Sequence, residues 1–212
     1  LEAVFSDRKF DLVVNFAAET HVDNSIKNPH IFTEVNTLGF QRLLYKAMAY
    51  DVEKFIQIST DEVYGSNDLD RHFLESDPLN ADNPYSASKA GAELIMKAVE
   101  NTFGYRGIII RPSNNYGTHQ YPEKLIPLSI KKLMEGKKIG LYGDGLQKRD
   151  WLEVDDHVEF IRQLINQGEK GQIYNICSGI EWSNTDVIRL LIDSVNRITG
   201  SSYSFETDVD FV

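Results

Sequence analysis

Two short stretches of this 212-residue chain hold residue types that can move protons. They are Ser59-Thr60-Asp61-Glu62-Val63-Tyr64-Gly65 and Pro84-Tyr85-Ser86-Ala87-Ser88-Lys89. Tyr85 and Lys89 are four residues apart, which puts them one turn apart on one face if the second stretch opens a helix. A free tyrosine, with a pKa near about 10, is a poor base at neutral pH. A nearby ammonium favours the phenolate, so Lys89 is expected to bring Tyr85 toward the working range. Asp61 and Glu62 read blandly as two solvated acids in a loop. At the end of a strand and beside a hydroxyl they become a candidate acid and base, because close carboxylates repel and one tends to stay protonated. Thr60, Asp61, Glu62, Tyr85 and Lys89 together make a set capable of moving several protons.

The elements around these residues follow from the apolar pattern. Lys54-Phe-Ile-Gln-Ile-Ser59 reads as a buried strand, which places Thr60, Asp61 and Glu62 where a strand leaves a sheet, the usual place for ligand chemistry in open α/β folds. Asp11 to Ala18 is a continuous apolar run, the mark of a parallel strand covered on both faces. Ala17 and Ala18 at its end would let a ligand approach the backbone closely. A helix is expected from Pro29 to about Tyr50, completing a right-handed strand-helix-strand unit. Residues 66 to 83 read as a surface loop, 85 to 103 as a helix ended by Gly104, and 107 to 111 as another buried strand stopped by Pro112. Alternating strand and helix is the doubly wound pattern.

After Pro112 the rhythm changes. Residues 113 to 117 are turn-rich, and Pro122 introduces a helix to about Gly136. Short strands are expected at 139 to 142 and 149 to 154, a helix capped by Asp155 to about Gln167, and a strand at 172 to 176. Asn184 is expected to cap a final helix. The expected fold is α/β, a doubly wound parallel sheet, with residues 1 to 112 as one domain. Residues 113 to 212 form a smaller region, some of whose segments return to pack on the first.

Composition narrows the function classes. With 42% hydrophobic and 25% charged residues the chain is ordinary for a globular protein, and a net charge of -10 argues against nucleic acid or anionic membrane as partners. The lone Cys177 rules out an internal disulfide and reads as a buried small hydrophobe. No apolar run approaches the roughly 18 residues of a membrane helix, and no signal segment follows Leu1, so a soluble, cytoplasmic piece of a longer protein is expected. No residues stand out as metal ligands.

Three motifs have competing readings. Tyr50-Lys54 repeats the Tyr-x-x-x-Lys spacing but lies between a helix end and a strand, which makes it a chance copy. Gly140 to Gly145 mimics a glycine-rich phosphate loop, yet strand rather than helix follows it, so it is rejected. His21 reads either as a ligand contact or as a structural loop histidine. The dinucleotide glycine loop does not occur within these residues; in a doubly wound fold it belongs to the first strand-helix turn, upstream of Leu1.

Assembled, the motifs resemble the nucleotide-sugar branch of the extended short-chain dehydrogenase/reductase superfamily. The resemblance runs from about Phe10 to Ser183. It rests on Phe-Ala-Ala-Glu-Thr-His-Val-Asp (16 to 23), Ser-Thr-Asp-Glu-Val-Tyr-Gly (59 to 65), Tyr-Ser-Ala-Ser-Lys (85 to 89), Asn-Asn-Tyr-Gly (114 to 117), Pro-Glu-Lys-Leu-Ile-Pro (122 to 127) and Arg-Asp-Trp-Leu (149 to 152). It implies a Rossmann-like NAD domain, whose first strands with the glycine loop precede Leu1, and a smaller substrate-binding region. Ala17, Ala18, Glu19, Tyr85, Lys89 and Asn115 would line the NAD site. Thr20, Thr60, Asn114, Lys124, Leu125, Tyr142 and Arg149 would touch a nucleotide sugar. Lys124 and Arg149 suit a diphosphate as cations on an acidic protein, although Arg149 also reads as a surface salt-bridge residue. Val35 departs from the family, which commonly has a threonine there.

The implied reaction is dehydration of a nucleotide-linked glucose, dTDP-glucose first among them, to the 4-keto-6-deoxy sugar through bound NAD, by a homodimer. A 4-epimerase or decarboxylase of the same superfamily is the nearest alternative. Those need the tyrosine but no acid/base pair to eliminate water, so Asp61-Glu62 favours the dehydratase. A catalytically silent nucleotide-sugar-binding module is the third reading.

Overall fold

A computed structural model describes residues 1–67 and 71–212. In chain order its helices and strands begin with α1 (Glu2–Asp7), β1 (Leu12–Asn15), α2 (Val22–Lys27), α3 (Pro29–Phe32), α4 (Phe40–Ala49) and β2 (Lys54–Ile58). Next come α5 (Pro84–Phe103), β3 (Ile108–Pro112), β4 (Asn114–Tyr116), α6 (Leu125–Met134), β5 (Ile139–Leu141) and β6 (Lys148–Glu153). The chain closes with α7 (Val154–Gln167), β7 (Ile173–Ile176), β8 (Glu181–Ser183), α8 (Asn184–Thr199), α9 (Phe205–Asp208) and β9 (Val209–Phe211). Two compact units result, Leu1–Pro112 with Phe160–Ile176, and Ser113–Glu159 with Cys177–Val212.

The first unit is a four-stranded sheet in the order β1-β2-β3-β7, parallel at every pairing. Parallel strands need crossovers long enough for a helix, and helices on the faces explain why the strands are continuous apolar runs. Every residue of β3 is buried, and four of the five in β2. Phe40, Leu44 and Ala47 of α4 and Ala92, Met96 and Val99 of α5 close over Phe55 and Ile109. This is the Rossmann-like arrangement expected.

Helix α5 starts where its sequence says it should. Asn83 and Ser86 form a capping box, Pro84 supplies a fixed φ at the first position, and Gly104 takes the left-handed conformation at φ 72° that ends the helix. The turn before the loop is equally specified. Gly65 sits at φ 77°, ψ -160°, and a Cβ added there would lie 2.0 Å from the Asn80 carbonyl oxygen. That backbone region costs a residue with a side chain about 1–3 kcal/mol before any collision. Gly65→Ala is therefore expected to lose at least about 2 kcal/mol, seen as a lower denaturant midpoint at unchanged slope.

In the second unit, β4 pairs parallel with β6, and β6 antiparallel with β8, while β5 pairs with β9. Leu133, Ile139, Leu141, Ile188, Ile192, Val195 and Val209 form its core. Asp150 on β6 accepts hydrogen bonds from Ser113 Oγ (2.6 Å) and from the backbone N–H groups of Ser178, Gly179 and Ile180 (2.7–3.1 Å).

Several local expectations change. Residues 29 to 49 are helical throughout, but Thr33–Gly39 is a π-helical segment. Asn114–Tyr116 is a strand rather than a turn, because it finds β6 as a partner. Helix α6 starts at Leu125, three residues past Pro122. Ser183, not Asn184, caps α8, accepting a hydrogen bond from Asp186 N. Helix α7 begins at Val154, so Asp155 lies in its first turn. A further helix and strand, α9 and β9, follow the helix that sequence presents as last. Cys177 is exposed rather than buried. The loop expected at 66 to 83 lies partly outside the described residues; Arg71 to Asn83 forms neither helix nor strand.

Candidate active site

Strand β2 ends at Ile58, and the chain turns at once into a single 3₁₀ turn, Asp61–Tyr64, capped by the Thr60 side chain, which accepts from Glu62 N at 3.3 Å. The two acids thus stand on a capped 3₁₀ turn instead of an irregular loop. Tyr85, in the first turn of α5, is 8% exposed, and its ring packs edge-on to Phe32 at 6.4 Å. Its phenol is held well above the ordinary tyrosine range, by burial first, then by the negative charge of Glu62 and, less, of Asp61, against a smaller opposing effect of the Thr60 hydroxyl. Thr60, Asp61, Glu62 and Tyr85 are brought together.

Lys89 departs from its expected part. Its Nζ donates to the Ile58 carbonyl at 2.5 Å, and burial lowers its pKa to about 8 against the opposing pull of Glu93. The shift of Tyr85 is upward, not downward, because burial and the two carboxylates set it, while Lys89 is engaged with the Ile58 carbonyl. The residues still suit a nicotinamide dinucleotide. A positive charge beside Tyr85 would be complementary to Glu62 and Asp61, and Lys89 has two further N–H donors to offer ribose hydroxyls.

After β1 the backbone carries only small side chains at Ala17 and Ala18, Ala17 being exposed. Asn15 Oδ1 accepts from Ala17 N at 3.2 Å, and Asn36 clamps Glu19 by accepting from its N–H (2.8 Å) and donating to its carbonyl (2.9 Å). Asn36 also donates to Ser88 Oγ at 2.9 Å, so the π-helical segment ties the loop holding Ala17, Ala18, Glu19 and Thr20 to α5. His21 Nδ1 is buried and finds no hydrogen-bond partner among the described residues.

A buried ion pair underlies this set. Arg111 donates to Glu93 from Nη2 at 2.6 Å and from Nε at 3.1 Å, both side chains being 3% exposed. Glu93 also accepts from Ser59 Oγ at 2.5 Å, and Arg111 donates to Tyr64 OH at 2.5 Å. The pair therefore braces both ends of the Ser59–Tyr64 stretch. Sequence reading missed Asn36, Asn83, Glu93 and Arg111. A signal existed for the last two: an arginine inside an apolar strand demands a buried acid, and Glu93 lies one turn beyond Lys89.

The chance copy of the Tyr-x-x-x-Lys motif is spent on structure, Tyr50 donating to Glu2 at 2.6 Å and Lys54 to the Ile165 carbonyl at 2.6 Å. In the second unit Asn114 and Asn115 lie on β4, and Asn115 Oδ1 meets His157 Nδ1 at 2.7 Å. Asn115 Nδ2 donates to the Ser113 carbonyl, so its Oδ1 is the acceptor and His157 the donor. Lys124 and Leu125 stand at the start of α6, Tyr142 is 71% exposed just after β5, and Arg149 is exposed on β6, donating to the Lys148 carbonyl at 2.8 Å. These four stand on three separate elements.

Among the described residues no group of His, Cys, Asp and Glu side chains is placed to hold a metal ion, and no helix is long and apolar enough to cross a membrane.

A parallel sheet with a Thr-Asp-Glu turn at one strand end and a Tyr-Lys helix start beside it defines a Rossmann-like protein of the extended short-chain dehydrogenase/reductase type. The family model described as NAD dependent epimerase/dehydratase family matches residues 1–177, and the chain belongs to that family. It is 46% identical over 184 residues to the dTDP-glucose 4,6-dehydratase of Streptomyces antibioticus, which covers 87% of this chain and 55% of that relative. A dTDP-glucose 4,6-dehydratase from Streptomyces venezuelae, solved with NAD and TYD bound, matches at a TM-score of 0.92 and 40% identity, over 100% of this chain and 63% of that one. A UDP-glucuronic acid 4-epimerase from Bacillus cereus is less similar, at a TM-score of 0.87 and 26% identity, over 99% of this chain and 64% of that one. The chain thus spans between half and two thirds of the length of these relatives.

Proposed function

We propose that this chain carries the catalytic groups of an NAD-dependent dTDP-glucose 4,6-dehydratase. The observation that carries this reading is the 3₁₀ turn that sets Asp61 and Glu62 against Tyr85. An epimerase needs the tyrosine alone, whereas removal of water needs a second base and an acid. The similarity to dehydratases at 40–46% identity supports the same choice.

In this reading Tyr85, as phenolate, takes the proton of the C4 hydroxyl while Thr60 holds the C4 oxygen. Bound NAD would supply the hydride acceptor for C4 and the hydride donor for C6. The C4 ketone acidifies C5, Glu62 removes the C5 proton, and Asp61 protonates the departing C6 hydroxyl; as hydride adds to C6, Glu62, its proton exchanged with solvent, returns a proton to C5. Lys89 binds the nicotinamide ribose. Ala17, Ala18, Glu19 and Asn115 complete the cofactor site, and Thr20, Asn114, Lys124, Leu125, Tyr142 and Arg149 the sugar-nucleotide site. The first unit then serves NAD and the second mainly the substrate. A cytoplasmic homodimer joined through residues 29 to 50 and 85 to 103 fits the exposed Leu38, Tyr45, Leu94 and Phe103 on those helices.

The test is to give the complete protein dTDP-glucose in deuterated water and read the product by NMR. The 4-keto-6-deoxy sugar with deuterium at C5 is expected. A galactose-configured product that keeps its C6 hydroxyl would replace this reading by the epimerase. For Arg149→Ala, loss of a charge-assisted phosphate contact should weaken nucleotide-sugar binding by about 1.5–3 kcal/mol in a titration. Unchanged affinity would return Arg149 to the surface.

A further inference from the structure

Asn83 does two things with one amide. Its Oδ1 accepts from Ser86 N at 2.9 Å, while its own backbone N–H donates to Ser86 Oγ at 3.2 Å, closing the capping box of α5. With the oxygen committed to the cap, Nδ2 must face away, and it donates to Glu62 Oε2 at 3.2 Å. The residue two places ahead of Tyr85 is thus bonded to the carboxylate whose charge bears on Tyr85. We propose that Asn83 is a positioning residue that holds the Glu62 carboxylate in place at the start of the Tyr85 helix. The functional part of this proposal rests on Glu62 being the C5 base.

Capping by itself does not call for an amide. Asp and Ser cap helices about as well as Asn, and a carboxylate at a helix N-terminus is also favoured by the helix dipole. What only Asn supplies here is an N–H aimed at a neighbouring carboxylate, which favours that carboxylate's charged form. Aspartate at this position would keep the cap, remove the donor and set a second negative charge beside Glu62. Serine would keep the cap and remove the donor without adding charge. Among the described residues, the ionisable groups on the same turn, at the start of the adjoining helix and in the loop before it include Asp61, Tyr85 and Lys89 on α5, and Asp82, which accepts from Ser66 N at 2.5 Å and Ser66 Oγ at 2.7 Å. All are kept in both variants.

The experiment compares Asn83→Asp and Asn83→Ser with the native complete protein. The carboxyl carbon of Glu62 is followed by NMR against pH in glutamate-labelled protein, its signal assigned by its loss in Glu62→Gln. The Glu62 midpoint should rise by about one pH unit or more in Asn83→Asp, and by a smaller step in Asn83→Ser. The acid limb of solvent-deuterium uptake at sugar C5 should move to higher pH by the same amounts. Denaturant midpoints separate this from unfolding, since both variants keep the cap, and Asn83→Ser carries the measurement if Asn83→Asp folds poorly. An unmoved Glu62 midpoint in a folded variant overturns the proposal and leaves Asn83 a helix cap. A midpoint that rises while C5 uptake stays unchanged upholds the hold of Asn83 on Glu62 and sinks the assignment of Glu62 as the base.

Discussion

Tyr85→Phe should slow formation of the C4 ketone by about a hundred- to ten-thousand-fold, the weight of one general base. The substitution removes a single oxygen from a ring that is 8% exposed and packed against Phe32, so the fold should survive and the circular dichroism spectrum should not change. Ketone formed in one turnover, trapped with hydroxylamine, measures the step directly. A native rate of trapping in Tyr85→Phe would remove Tyr85 from the first step. The pH dependence gives a second check with a definite sign. Burial and the charges of Glu62 and Asp61 raise the Tyr85 pKa, so the rate of C4 oxidation should climb with pH. Glu62→Gln removes one of the charges that raise it, and the climb should then begin at lower pH.

The second large effect divides the two carboxylates. Glu62→Gln should still permit C4 oxidation but lose solvent-deuterium uptake at C5 and the elimination that depends on it. Asp61→Asn should keep both oxidation and C5 exchange while slowing loss of the C6 hydroxyl. Each should lower turnover by about a hundred- to ten-thousand-fold. Their placement on one 3₁₀ turn would let neighbours in sequence take opposite roles, since successive residues of such a turn point about 120° apart. Should both variants turn over at the native rate, the acid/base pair and the dehydratase reading fall together, and the epimerase stands.

The helix carrying Tyr85 and the strand carrying Thr60 were legible because their signals are local. An apolar run of strand length, a proline at the helix start and a glycine stop act over a few residues, and the Tyr85-Lys89 spacing needs nothing but a helix. Two of the motifs that mark the family, residues 59 to 65 and 85 to 89, lie within or directly beside such segments. The strands and helices of the second half were legible only in part. Asn114–Tyr116 has no strand signature of its own and is a strand because β6 lies beside it, and β9 exists only through its pairing with β5.

Charge is where sequence by itself ran out. It presents Tyr85 and Lys89 as a pair and so predicts an easily ionised phenol. The tertiary structure instead buries the phenol beside Glu62 and Asp61 and turns Lys89 toward the Ile58 carbonyl. A pKa depends on desolvation and on charges within a few ångströms, and neither is a property of neighbours along the chain. The same holds for Glu93 and Arg111, 18 residues apart, and for Asn83 and Glu62, 21 apart, whose bonds exist only once the sheet and α5 are packed. Sequence determined which groups are available and on which elements they stand; packing decided which of them meet and in what state of charge.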